Sequence, residues 1–483
     1  MASNTGLPSI IQGGMGVAVS GWPLANAVAR RGQLGVVSGT ILEVVMARRL
    51  QLGDPGGHVR RALEQFPFAS VSDRVLDAYF VPGGKDSTRP FKNVRTFTVD
   101  PDLALQELTV AANFVEVFLA KEGHDGPVGI NYLRKIEIPI PFSVYGAMLA
   151  GVDYVIVGAG NPKDMPGMIS RLARSEAVTL PLRVQGLTSS DDAVEIRFDP
   201  SDLNGSHLPV VDRPDFLAIV ASVDLAEGLA QLPEPPDGFI VEAPSAGGHN
   251  APPRGPRVTD DLGQPVYDER DDVDPARLVE IGLPFWLAGS FGTPQGLQQA
   301  LAEGAAGVQV GTAFAFCEES GLTSELKETI VGQVADGTVE VRSDWRASPT
   351  GFPFRIVQVE GSISDEDVFL NRRRVCDLGA LRVPYKTDND LIGYRCPAEP
   401  LKAYGDVKGG RVQNTEGRAC LCNGLLATAG LPQYRTAAGV EEPPIVTAGS
   451  DFEGVRALMD RKRDDGPFYS ARDVIDYLAG VPA

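Results

Sequence analysis

Phe285-Trp286-Leu287-Ala288-Gly289-Ser290-Phe291-Gly292 runs into Thr293-Pro294 and, after the helical stretch Pro294 to Glu303, into Gly307-Val308-Gln309-Val310-Gly311-Thr312. This is a strand, a glycine turn, a helix and a second strand of the same kind. Short apolar runs without polar alternation read as strands buried on both faces, the mark of a parallel sheet. Thr293 is placed to cap the helix and Pro294 to open it. Reading outward, six further short apolar runs lead into helical periodicity: Ser9 to Gln12, Leu34 to Ser38, Val128 to Asn131, Tyr154 to Gly158, Phe216 to Val223 and Gly238 to Glu242. Eight runs of this kind predict an α/β chain closed into a (β/α)8 TIM barrel rather than an open sheet.

The connections are unequal. Residues 40–127 are too long for a simple crossover and read as a helical insertion, with helices at Leu42 to Leu50, His58 to Gln65 and Leu103 to Lys121. Leu182 to Asp199 alternates around Ser189-Ser190-Asp191-Asp192, a hairpin pattern, and Asn250 to Asp274 is a Pro-, Gly- and Asp-rich loop. The expected organisation is a barrel over 1–320 and a C-terminal extension over 321–483, with a Cys-bearing segment at 376–422 and a closing helix capped by Ser470.

A formal net charge of −19 over 483 residues argues against a nucleic-acid partner and weakens any case for an anionic membrane surface. Met1 to Pro8 lacks a basic and apolar leader, and Pro139 to Gly160 reads as turn, helix and strand rather than a span, so the expected location is cytoplasmic. A homo-oligomer is compatible with the sequence.

Active sites of such barrels gather at the C-terminal strand ends. The first strand ends Gln12-Gly13-Gly14-Met15-Gly16, the seventh Gly289-Ser290-Phe291-Gly292, the eighth Gly311-Thr312. Glycine turns opening onto helix N-termini after the last two strands suit an anion, because their N–H groups and the helix dipole favour negative charge. Backbone donors need no Lys or Arg, so an acidic chain can hold a phosphate this way. The plainer alternative, that the glycines only shape tight turns, loses weight as they recur at three strand ends. Among four histidines, His249 closes Ala246-Gly247-Gly248-His249 directly after the sixth strand, where an imidazole suits a general base titrating near neutral pH. His58, His124 and His207 read as caps or surface residues. Asn131 ends the third strand, where its amide can bond a ring in the mouth or cap its own loop.

No spacing supports a histidine metal site. Cys376, Cys396, Cys420 and Cys422 could hold zinc or an iron–sulfur cluster, but no CxxC knuckle is present, and the favoured reading is inert buried thiols with no metal; Cys317 reads as packing.

The segments Ile10-Ile11-Gln12-Gly13-Gly14-Met15-Gly16, Ala246-Gly247-Gly248-His249, Leu287-Ala288-Gly289-Ser290-Phe291-Gly292 and Gly307-Val308-Gln309-Val310-Gly311-Thr312-Ala313-Phe314 together resemble the nitronate monooxygenase (2-nitropropane dioxygenase-like) family. The resemblance covers residues 1 to about 320. It implies FMN in the barrel mouth, its phosphate on the turns at Gly289, Ser290, Gly292, Gly311 and Thr312, and its ring near Gly13, Gly14, Met15, Asn131, Gly247 and Gly248. It further implies His249 as the catalytic base of a flavin-dependent monooxygenase that turns alkyl nitronates, and nitroalkanes where the base removes the α-proton, into carbonyl compound and nitrite with O2. Related barrels include FMN-dependent enoyl-thioester reductases that use NAD(P)H, for which acyl carrier protein would be the partner, and these share the Gly-Gly-His turn. A third reading is a phosphate-binding barrel without redox chemistry, its tail serving a partner protein. The tail itself lies outside the family pattern, as does Gly-Ser-Phe-Gly at the seventh strand.

Overall fold

The structure, a computed structural model, describes residues 6–189, 191–204, 208–462 and 466–482. The expected positions His207 and Ser190, and the first five residues, lie outside them. Eight parallel strands close into a barrel: β1 (Ile10–Gln12), β2 (Leu34–Ser38), β3 (Val128–Leu133), β4 (Tyr154–Gly158), β5 (Asp215–Val220), β6 (Gly238–Glu242), β7 (Phe285–Ala288) and β8 (Gly307–Val310). Neighbours in sequence are neighbours in space, and β8 returns to β1 with Val308 opposite Ile10.

The continuous apolar runs have the physical cause expected of them. One set of side chains, among them Ile11, Val36, Ile156, Leu217, Ile240 and Trp286, fills the barrel's interior, while the alternate set faces the surrounding helices. Trp286 closes one end by donating its indole N–H to the Pro8 carbonyl at 2.7 Å. Thr293 caps the helix Pro294–Ala302 by accepting from Gly296 N, as its position in the sequence suggested.

The insertion between β2 and β3 holds helices Leu42–Gln51, His58–Leu63, Ala69–Tyr79 and Leu103–Lys121; the third was not legible. Leu103–Lys121 is long and apolar enough to cross a membrane by composition, yet most of it is buried against the rest of the protein, so it is the core crossover helix of this layer. The hairpin after β4 pairs Val178–Pro181 with Glu195–Phe198, so its first arm lies earlier than the alternation at Leu182 to Val184 suggested. The cause is tertiary: Gln185 leaves the hairpin to exchange backbone hydrogen bonds with the tail, donating to Pro384 O (3.0 Å) and accepting from Lys386 N (2.8 Å).

The tail is packed over the barrel rather than beside it. Helix Ala471–Leu478, with Ser470 and Asp473 forming a capping box, lies against the barrel's first helix, Trp22–Ala29. Tail residues such as Leu421, Leu426, Ile445 and Val455 share one buried core with the barrel's outer face.

Candidate active site at the barrel mouth

The C-terminal strand ends surround a cavity of about 1700 Å³, its open mouth included. Gly13, Gly14, Met15, Asn131, Gly247, Gly248, His249, Gly289, Ser290, Gly292, Gly311 and Thr312 all line it. Residues chosen from five separated strand ends and turns thus meet in one place.

The β1 turn is built by Ser20. Its hydroxyl donates to Gly13 O (2.9 Å) and accepts from Met15 N (2.9 Å), folding the glycine turn back across the mouth. The glycines differ in what they leave open. A Cβ on Gly14 would lie 2.4 Å from Asn131 Cβ, so this glycine serves the close approach of two strand ends. Gly289 and Ser290 both take positive φ (+93° and +58°), a turn costly to Ser290, and a Cβ on Gly289 would meet Ser245 Oγ at 2.9 Å. Space toward the cavity remains at Gly292 and Gly248, where the nearest atoms to such a Cβ are at 3.8 Å and beyond 4 Å.

His249 donates or accepts through Nε2 at 2.6 Å from Ser348 Oγ, which is itself hydrogen-bonded to Thr350 Oγ1 (2.8 Å); the ring edge packs on Phe354. Burial first, and the Lys135 ammonium second, pull its pKa down to about 3. This corrects the expectation of a base titrating near neutrality: the imidazole is neutral throughout the physiological range because a desolvated site disfavours the cation. Lys135 is itself lowered to about 8 by burial, with its ammonium over the Phe352 ring. Glu242, at the end of β6 on the same cavity, is pushed up to about 8 by burial and holds its proton at pH 7.

His58 and His124 stand outside the cavity lining, His58 against Trp22 and His124 with its ring nitrogens bonded to Ala120 O and Gly126 N. Three barrel-side or nearby contributors and a whole wall from the tail escaped the sequence reading. Glu242 had no motif, and Ser348 lies 99 residues from its histidine. Gln309 was read only as strand, yet its buried Oε1 has no protein partner. The tail supplies the rest: Leu421, Cys422 and Leu425, then Thr447 to Gly449, then Gly454 and Val455. Thr447 Oγ1 accepts from Gly248 N (2.8 Å) and Thr312 Oγ1 accepts from Gly449 N (3.0 Å), so the tail is stitched to two of the predicted turns.

The residues fit a flat heterocycle with an anionic tail. The orphaned Gln309 acceptor suits a ring N–H, the space at Gly292 and Gly248 admits close backbone approach, and two helices, Pro294–Ala302 and Glu453–Arg461, begin at the cavity.

The nitronate monooxygenase family model matches residues 215–349. A curated relative from Mycobacterium tuberculosis, (3aS,4S,5R,7aS)-5-hydroxy-7a-methyl-1-oxo-octahydro-1H-indene-4-carboxyl-CoA dehydrogenase, is 33% identical over 125 residues, 26% of this chain; the match spans only 30% of that relative's length. Among solved structures, nitroalkane oxidase from Streptomyces ansochromogenes aligns at 14% identity and TM-score 0.45, covering 98% of this chain and 95% of that one. The enoyl reductase domain of MlnA from Bacillus amyloliquefaciens aligns at 11% and 0.47, covering 99% and 95%. Across β5 to β8, where Gly247 to His249, Gly289 to Gly292 and Gly311-Thr312 stand, the chain is similar to the nitronate monooxygenase family, in keeping with its motifs.

Proposed function

We propose that the chain is an FMN-dependent oxidoreductase that converts alkyl nitronates to carbonyl compound and nitrite with O2. The observation that carries this reading is the neutral His249, fixed by Ser348 on a cavity walled by the glycine turns. When bound, the flavin supplies the electron-accepting centre next to substrate.

The protein's own groups favour the nitronate over the nitroalkane. His249 always presents a neutral ring but gains little by taking a proton, so it is a weak base for a C–H bond and a good hydrogen-bond partner for an anion already formed. Glu242, protonated, donates to a nitro oxygen without repelling it. Lys135 adds positive charge on the His249 side. Apolar walls from Leu133, Ile219 and Phe354 limit water.

A second reading, reduction of an enoyl thioester, is favoured by a specific feature. A second cavity meets the first along Ile41, Ile136, Ala159, Ala380 and Leu381, and it carries Arg95, Arg134, Lys135, Arg183 and Arg382 in a chain of net charge −19. Such a rim suits the phosphates of a coenzyme A or phosphopantetheine thioester.

The test is spectroscopic. Purified protein should be yellow, or become so with FMN; no flavin binding overturns both readings. Anaerobically, bleaching by a nitronate alone supports the first, whereas rapid bleaching by NADPH supports the second and overturns the first.

A further inference from the structure

His249 and Thr350 belong to different cavities, and one hydroxyl joins them. His249 lines the barrel mouth, Thr350 lines the second cavity, and Ser348, fully buried, lines neither. Ser348 Oγ stands 2.6 Å from His249 Nε2 and 2.8 Å from Thr350 Oγ1, and it accepts from Thr350 N at 3.2 Å. The set is held in place from both sides. Arg355 N donates to Gly248 O (2.9 Å) and Asn250 N to Pro353 O (3.0 Å), bracketing the histidine, while Arg418 from the tail donates to the carbonyls of Trp345, Arg346 and Ser348. A hydroxyl has one proton and two lone pairs. With one lone pair given to Thr350 N, two arrangements satisfy Ser348 with the same number of bonds. Either it accepts from His249 Nε2–H and donates to Thr350, or it accepts from the Thr350 hydroxyl and donates to a bare Nε2, the ring proton then sitting on Nδ1. Nδ1 itself has no protein partner among the described residues.

We propose that Ser348 and Thr350 form a proton relay that feeds the barrel mouth from the second cavity through His249. In the delivering step the Nδ1–H bond breaks and its proton passes to an acceptor at the mouth. Nε2 takes the Ser348 hydroxyl proton, Ser348 takes that of Thr350, and Thr350 takes one, through water, from the Lys135 ammonium on the same cavity, which solvent then recharges. No electrons move, and the imidazole starts and ends neutral, changing only its tautomer. A ring whose cation is suppressed to about pH 3 by burial can therefore still pass a proton, because no imidazolium forms. Lys135, lowered to about 8, releases its proton readily near neutrality. Once product leaves, water in the open mouth protonates Nδ1 and the Nε2 proton runs back along the same hydroxyls, restoring the first arrangement. Glu242, also protonated at the mouth, has no hydrogen-bonded chain behind it among the described residues. Both reactions proposed above consume a proton at a mouth walled from water: O2 takes up protons as it is reduced, and a reduced enoyl group takes one on carbon. The relay rests on the reading that substrate is turned over at this mouth, and on neither reaction in particular.

The first test needs neither flavin nor substrate. In the full chain carrying nitrogen-labelled histidine, the magnetic resonance shifts of His249 Nδ1 and Nε2 report which nitrogen holds the proton, with His249→Gln assigning the signals. We expect the wild type to average the two tautomers. In Thr350→Val the Ser348 hydroxyl has lost its other partner and donates only to Nε2, so the shifts should move to the pure Nδ1–H form, and Thr350→Ser should restore the average. A single tautomer, the same in wild type and both Thr350 variants, overturns the proposal. The second test is turnover. With whichever substrate bleaches the flavin, kcat should fall roughly 100-fold in Thr350→Val with KM changed by less than about 2-fold, and Thr350→Ser should recover it. An unchanged kcat in Thr350→Val overturns the relay while leaving the flavin reading standing. A protein that binds no flavin overturns that reading instead, and the histidine shifts alone then decide the relay.

Discussion

Gly454→Ala separates two opposed effects whose sizes can be worked from the structure. Gly454 lies in the first turn of the tail helix Glu453–Arg461, where Ala would ordinarily stabilise by up to about 1 kcal/mol. A Cβ there would lie 2.3 Å from the Gly292 carbonyl oxygen, roughly an ångström inside ordinary contact, and both partners are backbone. Relieving it means moving the helix off the β7 turn, a strain of about 1–3 kcal/mol. The strain wins, and the variant should be destabilised by about 1–2 kcal/mol. Gly332 and Gly228, also helical, have nothing within 4 Å of such a Cβ, so Gly332→Ala and Gly228→Ala should gain up to about 1 kcal/mol. Denaturant melts of the three variants give the comparison, and flavin titration reads the turn itself, with affinity expected to fall roughly 5- to 30-fold in Gly454→Ala alone. A Gly454→Ala protein as stable as Gly332→Ala would refute the docking of the tail on the turn.

Other expectations follow from the same site. Under the proposed flavin reading, His249→Ala should still bind FMN and lose activity on preformed nitronate at least as much as on neutral nitroalkane; a loss confined to the nitroalkane would make His249 the proton-abstracting base and refute its assignment as hydrogen-bond partner of the anion. Folded His249 stays neutral down to about pH 3 while the unfolded residue takes up a proton near 6.5, so this group withdraws stability as pH falls through that window. Glu242 keeps its proton to about pH 8 when folded but loses it near 4.5 when unfolded, withdrawing stability as pH rises between them. Denaturant midpoints from pH 4 to 9 should therefore flatten on the acid side in His249→Gln and on the alkaline side in Glu242→Gln. Lys135→Met should raise KM for an anionic nitronate about 5- to 10-fold with KM for a neutral nitroalkane unchanged, a difference of about 1 kcal/mol for one partly screened charge; equal KM changes would count against Lys135 as the anion's partner.

What the sequence revealed and what it hid divide along one physical line. Parallel strands buried on both faces write themselves as short apolar runs, so all eight were readable, as were the glycine turns and the Thr293 and Ser470 caps, which depend on neighbours in the chain. Contacts made across long separations leave no local mark. Ser348 on His249, Thr447 on Gly248 and Gly449 on Thr312 are of this kind, and nothing near any of them in the chain announces the pairing. Gln185 shows the converse, a residue whose local alternation suggested one partner while the tail provided another. The near-neutral titration expected of His249 failed because burial depth is a property of the assembled mouth, not of Gly-Gly-His.

The cavity's last wall consists of residues 421–455, and the helix that rests on the barrel's first helix ends at Leu478. A nascent chain that has emerged only through β8 lacks Thr447, Gly449 and Gly454, and with them one wall of the mouth. The flavin proposed above would therefore meet a complete site only once translation has passed the tail.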